Sequence, residues 1–226
     1  MKAAIVAGGT IDSSFVLDYM KKENYQVTLA ADRGLEFFYE NHLTPDIIVG
    51  DFDSVKPMAL EFFQKEGGEG TQPQMISLNP MKDDTDTGHA LMTAISMGCD
   101  QVHIFGATGS RLDHVLGNLQ LLGYGLREGV DCAILDAYNK IRLIRGETVL
   151  HKQEQFGTYV SLIPYTPQVT GLTLEGFLYP LKDHVMGCFY LADAAPVSGV
   201  SNEIVDDTAR ISLKDGILVL VESRDG

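Results

Sequence analysis

The segment Pro45-Asp46-Ile47-Ile48-Val49-Gly50-Asp51-Phe52-Asp53-Ser54 contains an unbroken apolar run that stops at a glycine and is followed at once by two carboxylates. An unbroken run, unlike an alternating one, predicts a strand that is covered on both faces, as in the parallel sheet of an α/β fold. In such sheets ligands bind beyond the carboxyl ends of the strands. We therefore expect Asp51 and Asp53 to lie at the edge of the sheet where substrates bind.

Further apolar runs of the same kind occur through the first part of the chain. They are Ala4 to Ala7, Val27 to Ala31, Met75 to Leu78, Val102 to Phe105 and Cys132 to Leu135. Apolar residues recur with helical spacing between the later runs, first around Ala90 to Ile95 and again from Val115 to Leu122. This alternation of strand and helix predicts an N-terminal α/β domain with a parallel sheet over residues 1–139.

From about Lys140 the pattern changes, because strand-like runs follow one another without room for helices. These runs are Ile141 to Ile144, Tyr159 to Ile163, Val169 to Leu174, Arg210 to Leu213 and Ile217 to Val221. Asp215-Gly216, between the last two, is typical of a two-residue hairpin and predicts that these two strands pair. Residues 140–226 are therefore expected to form a small C-terminal antiparallel β-sandwich domain.

The composition is that of an ordinary globular protein, with 45% hydrophobic and 21% charged residues. No apolar stretch reaches the roughly 18–20 residues of a membrane span, and the N-terminus runs straight into a strand-like segment, so we expect no signal peptide and a cytoplasmic location. A net charge of -14 would repel the phosphate backbone of nucleic acid. Cys99, Cys132 and Cys188 lack the spacing of a zinc site and are expected to be reduced thiols.

The two carboxylates that follow the Ile47 to Val49 run indicate a cation site. If this segment is extended, Asp51 and Asp53 point the same way. Two charges about 4 Å apart repel by roughly 4 kcal/mol at an effective dielectric constant of about 20. Magnesium, which binds a few carboxylates together with phosphate oxygens, is the expected ion. The alternative is an acidic turn that caps the next helix.

A second acidic motif, Lys82-Asp83-Asp84-Thr85-Asp86-Thr87-Gly88-His89-Ala90, leads from a predicted strand into a predicted helix. Helix capping would account for one or two of its acids, but three acids in four positions exceed what a cap needs. Asp83 and Asp86 can share a helical face, and Lys82 can offset the charge of a phosphate. Capping alone remains the alternative.

A third motif, Gly106-Ala107-Thr108-Gly109-Ser110-Arg111-Leu112-Asp113-His114-Val115-Leu116-Gly117-Asn118, also follows a strand and opens a helix. Its small residues let backbone amides approach an anion, which the helix N-terminus favours, and Arg111 can grip phosphate oxygens as a fork. The motif lacks the Gly-Lys-Ser/Thr ending of a Walker loop. His114 is a candidate base, although a histidine at a helix start is more often a structural hydrogen-bonding residue.

Two shorter segments add to the same predicted edge of the sheet. Ala7-Gly8-Gly9-Thr10, after the first strand, is a candidate phosphate loop formed by Gly8 and Gly9. Asp32, after the second strand, contributes one more acid.

Taken in order, these motifs resemble the thiamine pyrophosphokinase family. The matching segments are Ala31-Asp32-Arg33-Gly34, Gly50-Asp51-Phe52-Asp53-Ser54, Lys82-Asp83-Asp84-Thr85-Asp86, Gly109-Ser110-Arg111-Leu112-Asp113-His114 and, in the β part, Gly199-Val200-Ser201-Asn202-Glu203. The resemblance implies transfer of the pyrophosphoryl group of ATP to the hydroxyl group of thiamine, with release of AMP and with Mg²⁺ as cofactor. It also implies a homodimer whose active sites lie between the α/β domain of one subunit and the β domain of its partner.

The resemblance further implies a metal site built from the acidic motifs. Asp51, Asp53 and Asp86 would hold Mg²⁺ on the triphosphate, with Asp83 and Asp32 nearby. With a metal-loaded site of this kind, positioning and charge neutralisation matter more than a strong base. One of the acids can still accept the hydroxyl proton, and the sequence does not distinguish among them.

Nucleotide-binding residues are implied in the same way. Arg111 and Lys82 would bind phosphate oxygens, and Asp113 and Asn118 would complete the nucleotide pocket.

On the thiamine side, the resemblance implies that Ser201 and Asn202 contact the substrate. Animal members of the family place a tryptophan against the thiamine rings, whereas this chain contains no tryptophan. Another aromatic residue of the β domain must supply that wall, and the candidates are Phe177, Tyr179, Phe189 and Tyr190.

Two other functions remain open at this point. A pterin pyrophosphokinase of related architecture could share the Gly50 to Ser54 metal motif and differ in its acceptor, 6-hydroxymethyl-dihydropterin. A sensor of nucleotide or thiamine diphosphate could bind without turnover. The segment from Gly199 to Glu203 favours thiamine, and the joint presence of Asp51, Asp53, Asp86 and Arg111 argues against a protein without catalysis.

Overall fold

A computed structural model describes residues 1–65, 72–78, 85–188 and 198–226 of the chain. These residues form two compact units, Met1–Ala137 and Tyr138–Gly226. Within the described part of the chain, none of the helices combines the length and the apolar character that a membrane span requires.

The first unit alternates strands and helices along its whole length. Its strands are β1 (Lys2–Val6), β2 (Val27–Ala31), β3 (Ile47–Gly50), β4 (Gln74–Ser77), β5 (Gln101–Phe105) and β6 (Asp131–Leu135). Its helices are α1 (Ser13–Glu23), α2 (Gly34–Glu40), α3 (Pro57–Lys65), α4 (Asp86–Ser96) and α5 (Leu112–Glu128). The strands neighbour one another in the order β6-β5-β1-β2-β3-β4, and every pair is parallel. The predicted parallel α/β sheet is confirmed.

Burial explains why the apolar runs of this unit are unbroken. All four residues of β3 are buried, and so are the last four residues of β1, β5 and β6. A strand in the interior of a parallel sheet has helices over both faces, so both sets of side chains must be apolar. The polar residues therefore begin where the strands end.

Glycines let the loops at this edge of the sheet approach each other backbone to backbone. A Cβ at Gly9, in the β1–α1 loop, would lie 2.3 Å from the carbonyl oxygen of Thr108 and 2.4 Å from that of Gly106, in the β5–α5 loop. A Cβ at Gly34, the first residue of α2, would lie 1.8 Å from the carbonyl oxygen of Val6. No larger residue fits either position without moving main chain.

The second unit is built from β-strands and includes a short 3₁₀ turn at Lys152–Glu154. Its strands are β7 (Asn139–Ile144), β8 (Glu147–His151), β9 (Tyr159–Pro164), β10 (Gln168–Glu175), β11 (Leu181–Gly187), β12 (Asn202–Glu203), β13 (Thr208–Ser212) and β14 (Leu218–Ser223). They pair antiparallel in two sets, β12-β9-β14-β7 and β11-β10-β13-β8. Both sets contribute to one apolar core, which includes Leu162, Leu172, Ile211 and Leu218. The predicted β-sandwich is confirmed.

The hairpin predicted at Asp215-Gly216 is wrong. The strand before it, β13, pairs with β8 and β10, whereas the strand after it, β14, pairs with β7 and β9. Leu213 and Leu218, on either side of the turn, are both buried in the shared core. The chain therefore passes from one layer of the sandwich to the other at this turn, because burial of both leucines outweighs the local hairpin preference of the dipeptide.

The close approach at Gly34 yields a stability prediction. Gly34→Ala places a methyl group against the backbone of β1, and we expect it to lower the free energy of unfolding by about 2 kcal/mol or more, which corresponds to a fall in melting temperature of about 4–8 °C. Gly117→Ala is the matched control: it lies inside α5 with no atom within 4 Å of the added Cβ. The control should leave the melting temperature unchanged or raise it, because alanine is the better helix former. Equal melting temperatures for the two variants would contradict the close packing at Gly34.

Candidate active site

Three carboxylates meet at the carboxyl ends of two neighbouring strands. Asp32 follows β2 directly, and Asp51 and Asp53 follow β3. Because β2 and β3 are parallel neighbours, their ends lie side by side, and one carboxylate oxygen of each residue lies within 4.8 Å of the other two. The backbone turns sharply here, since Asp32 and Phe52 both have positive φ angles, of 49° and 64°. The cluster of Asp32, Asp51 and Asp53 is hereafter the acidic cluster.

Hydrogen bonds inside the acidic cluster leave one carboxylate oxygen without a donor. The backbone N–H of Asp53 donates to Oδ1 of Asp51 at 3.2 Å, and the hydroxyl of Ser54 donates to Oδ2 of Asp32. Oδ1 of Asp32 is buried and has no hydrogen-bond partner among the described residues. Buried polar atoms are nearly always satisfied, because an unsatisfied one costs free energy. A cation between the carboxylates would satisfy this oxygen.

The charges of the cluster oppose one another in the absence of a cation. The pKa of the Asp53 carboxyl is raised above its ordinary value, chiefly by the negative charge of Asp51. Burial, the hydrogen bond involving Asp51 and the charges of Asp32 and Asp86 add to the rise. Mutual repulsion of this kind is what a bound divalent ion relieves.

A cavity of about 740 Å³ opens beside Asp32 at the same edge of the sheet. Loops after β1, β2 and β5 and the first turns of α4 and α5 form its walls. This volume lies within the range of pockets for small-molecule ligands, which is roughly 300–1,000 Å³. The candidate site residues that line it are Gly8, Gly9, Asp32, Asp86, Arg111, Asp113 and Asn118.

Arg111 and Arg33 bring positive charge to this cavity. The guanidinium group of Arg111 donates from Nε and Nη2 to the two oxygens of Asp113, at 3.3 and 2.6 Å. This pair lowers the pKa of Asp113 and raises that of Arg111, and both side chains are exposed. A phosphate group that binds Arg111 must therefore compete with Asp113 for the same fork of donors.

Gly9 and Asn118 shape the cavity through backbone contacts. The N–H of Gly9 donates to the carbonyl oxygen of Gly106 at 2.7 Å, so this amide is already engaged. Nδ2 of Asn118 donates to the carbonyl oxygen of Ala107 at 2.8 Å. Both residues hold the β5–α5 loop in place at the wall of the cavity.

Asp86 stands apart from the acidic cluster. It is the first residue of α4, and the side chain of Thr85 caps that helix by accepting from the N–H of Gly88 at 3.1 Å. The side-chain cap is thus made by Thr85, and Asp86 is the acidic residue of the first turn, where the helix dipole favours a negative charge. Lys82 and Asp83, predicted from the same motif, lie outside the described residues.

A second, smaller pocket of about 70 Å³ lies within the β unit. Its walls include apolar side chains of the core together with Tyr179, Gly199, Val200 and Asn202. Tyr179 is 65% exposed, whereas Phe177 is 4% exposed and belongs to the core. Phe189 and Tyr190, the other aromatic candidates, fall outside the described part of the chain.

Asn202 holds the backbone of Tyr179 from both sides. Its Oδ1 accepts from the N–H of Tyr179 at 3.0 Å, and its Nδ2 donates to the carbonyl oxygen of Tyr179 at 2.9 Å. Ser201, beside it, has a positive φ of 59° and donates its backbone N–H to Oγ of Ser161 at 3.0 Å. The Ser-Asn pair therefore fixes the loop that presents the Tyr179 ring.

Comparison with known proteins gives this geometry its context. The family model described as the catalytic domain of thiamin pyrophosphokinase matches residues 19–134, and the model of its vitamin B1 binding domain matches residues 147–218. The chain belongs to the thiamine pyrophosphokinase family. Such enzymes transfer the pyrophosphoryl group of ATP to thiamine, giving thiamine diphosphate and AMP, and this chain is an enzyme of that kind.

Individual relatives agree with this assignment. Thiamine pyrophosphokinase of Bacillus subtilis (strain 168) is 30% identical over 204 residues, which cover 90% of each chain. A crystal structure of the Bacillus subtilis thiamine pyrophosphokinase superposes with a TM-score of 0.84 at 28% identity and covers 100% of both chains. The corresponding structure from Geobacillus thermodenitrificans gives a TM-score of 0.83 at 27% identity and covers 100% of this chain and 99% of the other. The resemblance seen in the motifs is confirmed.

Sequence analysis assigned no role to several residues that line the cavity of this thiamine pyrophosphokinase. Arg33 and Ser54 stood inside quoted motifs, but only the structure shows that both line the cavity and that Ser54 bonds to Asp32. Thr108 lines the cavity as well, and its hydroxyl donates to Asp136 at 3.0 Å. The sequence offered one signal for two of these residues, because Arg33 directly follows Asp32 and Ser54 directly follows Asp53. That signal becomes informative only once the structure shows which loops are neighbours.

The electrostatics of the acidic cluster can be tested without metal. Asp51→Asn removes the largest cause of the raised pKa of Asp53, so we expect the pKa of Asp53 to fall towards its ordinary value in a ¹³C NMR carboxyl titration. Asp86→Asn removes the smallest of the recorded causes and should lower that pKa less. An unchanged pKa of Asp53 in Asp51→Asn would show that the two carboxylates are not in contact in solution.

Proposed function

We propose that Asp32, Asp51 and Asp53 hold Mg²⁺ against the phosphates of ATP during pyrophosphoryl transfer to thiamine. The observation that carries this proposal is the buried Oδ1 of Asp32, which has no hydrogen-bond partner in the described part of the chain and lies beside two further carboxylates. Oxygen donors of this type are the ligands that Mg²⁺ prefers. Asp86 lines the same cavity and contributes to the negative potential at Asp53, so it is a further candidate ligand.

The ion, when bound, neutralises charge on the phosphate oxygens of ATP. The protein's own residues bind and orient the nucleotide. Arg111 binds phosphate oxygens once it is released from Asp113, and Arg33 adds a second guanidinium group in the cavity, with Lys82 as a further candidate. Asn118, Asp113, Gly8 and Gly9 form the walls that fix the nucleotide. Such a site accelerates the transfer by positioning and charge stabilisation.

For the acceptor, we propose that the Tyr179 ring forms the aromatic wall against which thiamine stacks. Tyr179 is the one candidate of the four that the described structure presents as an exposed ring at the edge of a pocket. The thiazolium ring of thiamine carries a positive charge, which favours an aromatic face. Asn202 acts by holding Tyr179 and not chiefly by direct contact, since its amide group is already bonded to that backbone.

The homodimer, the division of labour between domains and the cytoplasmic location stay predictions. We infer from the family resemblance that the domain of residues 1–139 binds ATP and metal and that the domain of residues 140–226 binds thiamine. We also infer that active sites form between subunits. Exposed apolar side chains near the cavity, Leu112 and Leu116 of α5, are compatible with a surface that a second copy covers.

The metal proposal predicts a large loss of turnover when a cluster carboxylate is neutralised. With ATP, Mg²⁺ and thiamine, we expect Asp51→Asn to lower AMP release by about two orders of magnitude or more while the melting temperature is maintained. Asp18→Asn is the control, because Asp18 is exposed on α1 and its ion pair with Lys21 is long, at 3.8 Å. Near-normal turnover of Asp51→Asn would return the acids to a capping role.

The same assay tests the acceptor. AMP release with 6-hydroxymethyl-dihydropterin but not with thiamine would support a pterin acceptor, and release with neither would support a sensor.

The stacking proposal predicts a selective effect on thiamine binding. Tyr179→Ala should raise the KM for thiamine about five- to thirty-fold, because an aromatic contact with a cation contributes about 1–2 kcal/mol. The KM for ATP should change little, and Tyr179→Phe should behave like the unaltered chain. Tyr165→Ala, at another exposed tyrosine of the β unit, serves as the control. A normal KM for thiamine in Tyr179→Ala would place the wall elsewhere.

A further inference from the structure

Glu36 is a nearly buried carboxylate that none of the binding roles above uses. It lies in the first turn of α2, and its side chain is only 11% exposed. Carboxylates are rarely this buried unless they are paired. Its partners therefore indicate what the residue does.

Those partners come from the two segments that carry the acidic cluster, the loop after β2 and the loop after β3. One oxygen of Glu36 lies 2.7 Å from Nζ of Lys56, and the other accepts from the backbone N–H of Lys56 at 3.3 Å. The second oxygen also lies 3.8 Å from Nε of Arg33. We call this set of contacts the Glu36 clamp.

The clamp joins two segments that each begin at a cluster carboxylate. Asp32 stands four residues before Glu36, and Asp53 stands three residues before Lys56. The hydrogen bond from Ser54 to Asp32 joins the same two loops closer to the cluster. Glu36 and Lys56 thus tie the loop after β3 to the start of α2.

A tie of this kind is needed because the cluster does not hold itself together. Its carboxylates repel, because an oxygen of each lies within 4.8 Å of the other two, and Asp53 itself is exposed on an irregular loop. Val55 is buried and provides an apolar anchor for that loop. The clamp provides a polar anchor. Because hydrogen bonds to a carboxylate are directional, the clamp fixes the orientation of the loop as well as its position.

We propose that Glu36 is a positioning residue that sets the Asp51–Asp53 loop for metal binding and steadies Arg33 in the cavity. This inference rests on the proposed metal role of the acidic cluster. Support from residues behind the ligands commonly changes metal affinity ten- to a hundred-fold. A residue that only capped α3 through the N–H of Lys56 would affect stability and leave metal affinity alone.

The chain offers a matched control in Glu40. Its carboxylate contacts the same Lys56 ammonium group, at 3.1 Å, from a position that is 57% exposed. The contacts with the backbone of Lys56 and with Arg33 belong to Glu36. Glu36→Gln and Glu40→Gln therefore remove the same charge near Lys56 but differ in the clamp.

The test measures Mn²⁺ binding by electron paramagnetic resonance and amide hydrogen exchange by mass spectrometry on the full chain. We expect Glu36→Gln to weaken Mn²⁺ binding about tenfold and to speed exchange in the peptide that covers 50–56. Glu40→Gln should change either quantity less than twofold. Lys56→Met should give a smaller effect than Glu36→Gln, because it removes the contact with the ammonium group and leaves the contacts of Glu36 with the backbone N–H of residue 56 and with Arg33.

Two results would overturn the clamp. One is unchanged Mn²⁺ affinity and exchange in Glu36→Gln, and the other is an equal effect of both glutamine variants. If the unaltered chain binds Mn²⁺ no better than Asp51→Asn does, the metal proposal itself fails. Failure of the metal proposal can be distinguished from failure of the clamp, because hydrogen exchange reports on the loop in the absence of any ion.

Discussion

The site depends on one constraint: Oδ1 of Asp32 is buried among carboxylates that repel one another, and no described residue donates a hydrogen bond to it. Nothing local favours this arrangement, because three acids at close quarters raise the free energy of the folded chain unless a cation joins them. The parallel pairing of β2 and β3 imposes it by ending both strands at the same edge. The fold therefore stores an unfavourable charge arrangement, which the proposed metal-bound nucleotide would relieve.

Backbone packing supplies the room for that nucleotide. Gly9 and Gly34 remove the Cβ atoms that would hold the loops after β1, β2 and β5 apart. The loops meet main chain to main chain, and the cavity opens above them. Amides that already donate in those loop contacts, such as that of Gly9, are not available to a phosphate. In the proposed site the guanidinium groups of Arg111 and Arg33, which line the cavity, would bind it instead.

Much of this could be predicted from the sequence, and the failures have physical causes. Unbroken runs such as Ile47 to Val49 revealed the parallel sheet, because burial on both faces leaves a direct mark on composition. The hairpin at Asp215-Gly216 failed because pairing partners are chosen by the core, not by the turn. The contact between Glu36 and Lys56 joins residues twenty positions apart without a motif, so only the fold could reveal it.

The central claim is that Asp32, Asp51 and Asp53 bind the ion that accompanies ATP. The most direct measurement is anomalous X-ray diffraction from crystals grown with Mn²⁺ and a non-hydrolysable ATP analogue. The account predicts an anomalous peak within about 2.0–2.4 Å of oxygens of these three residues, with Oδ1 of Asp32 among them. A nucleotide bound in the cavity with its Mn²⁺ held elsewhere, and with that oxygen uncoordinated, would contradict it.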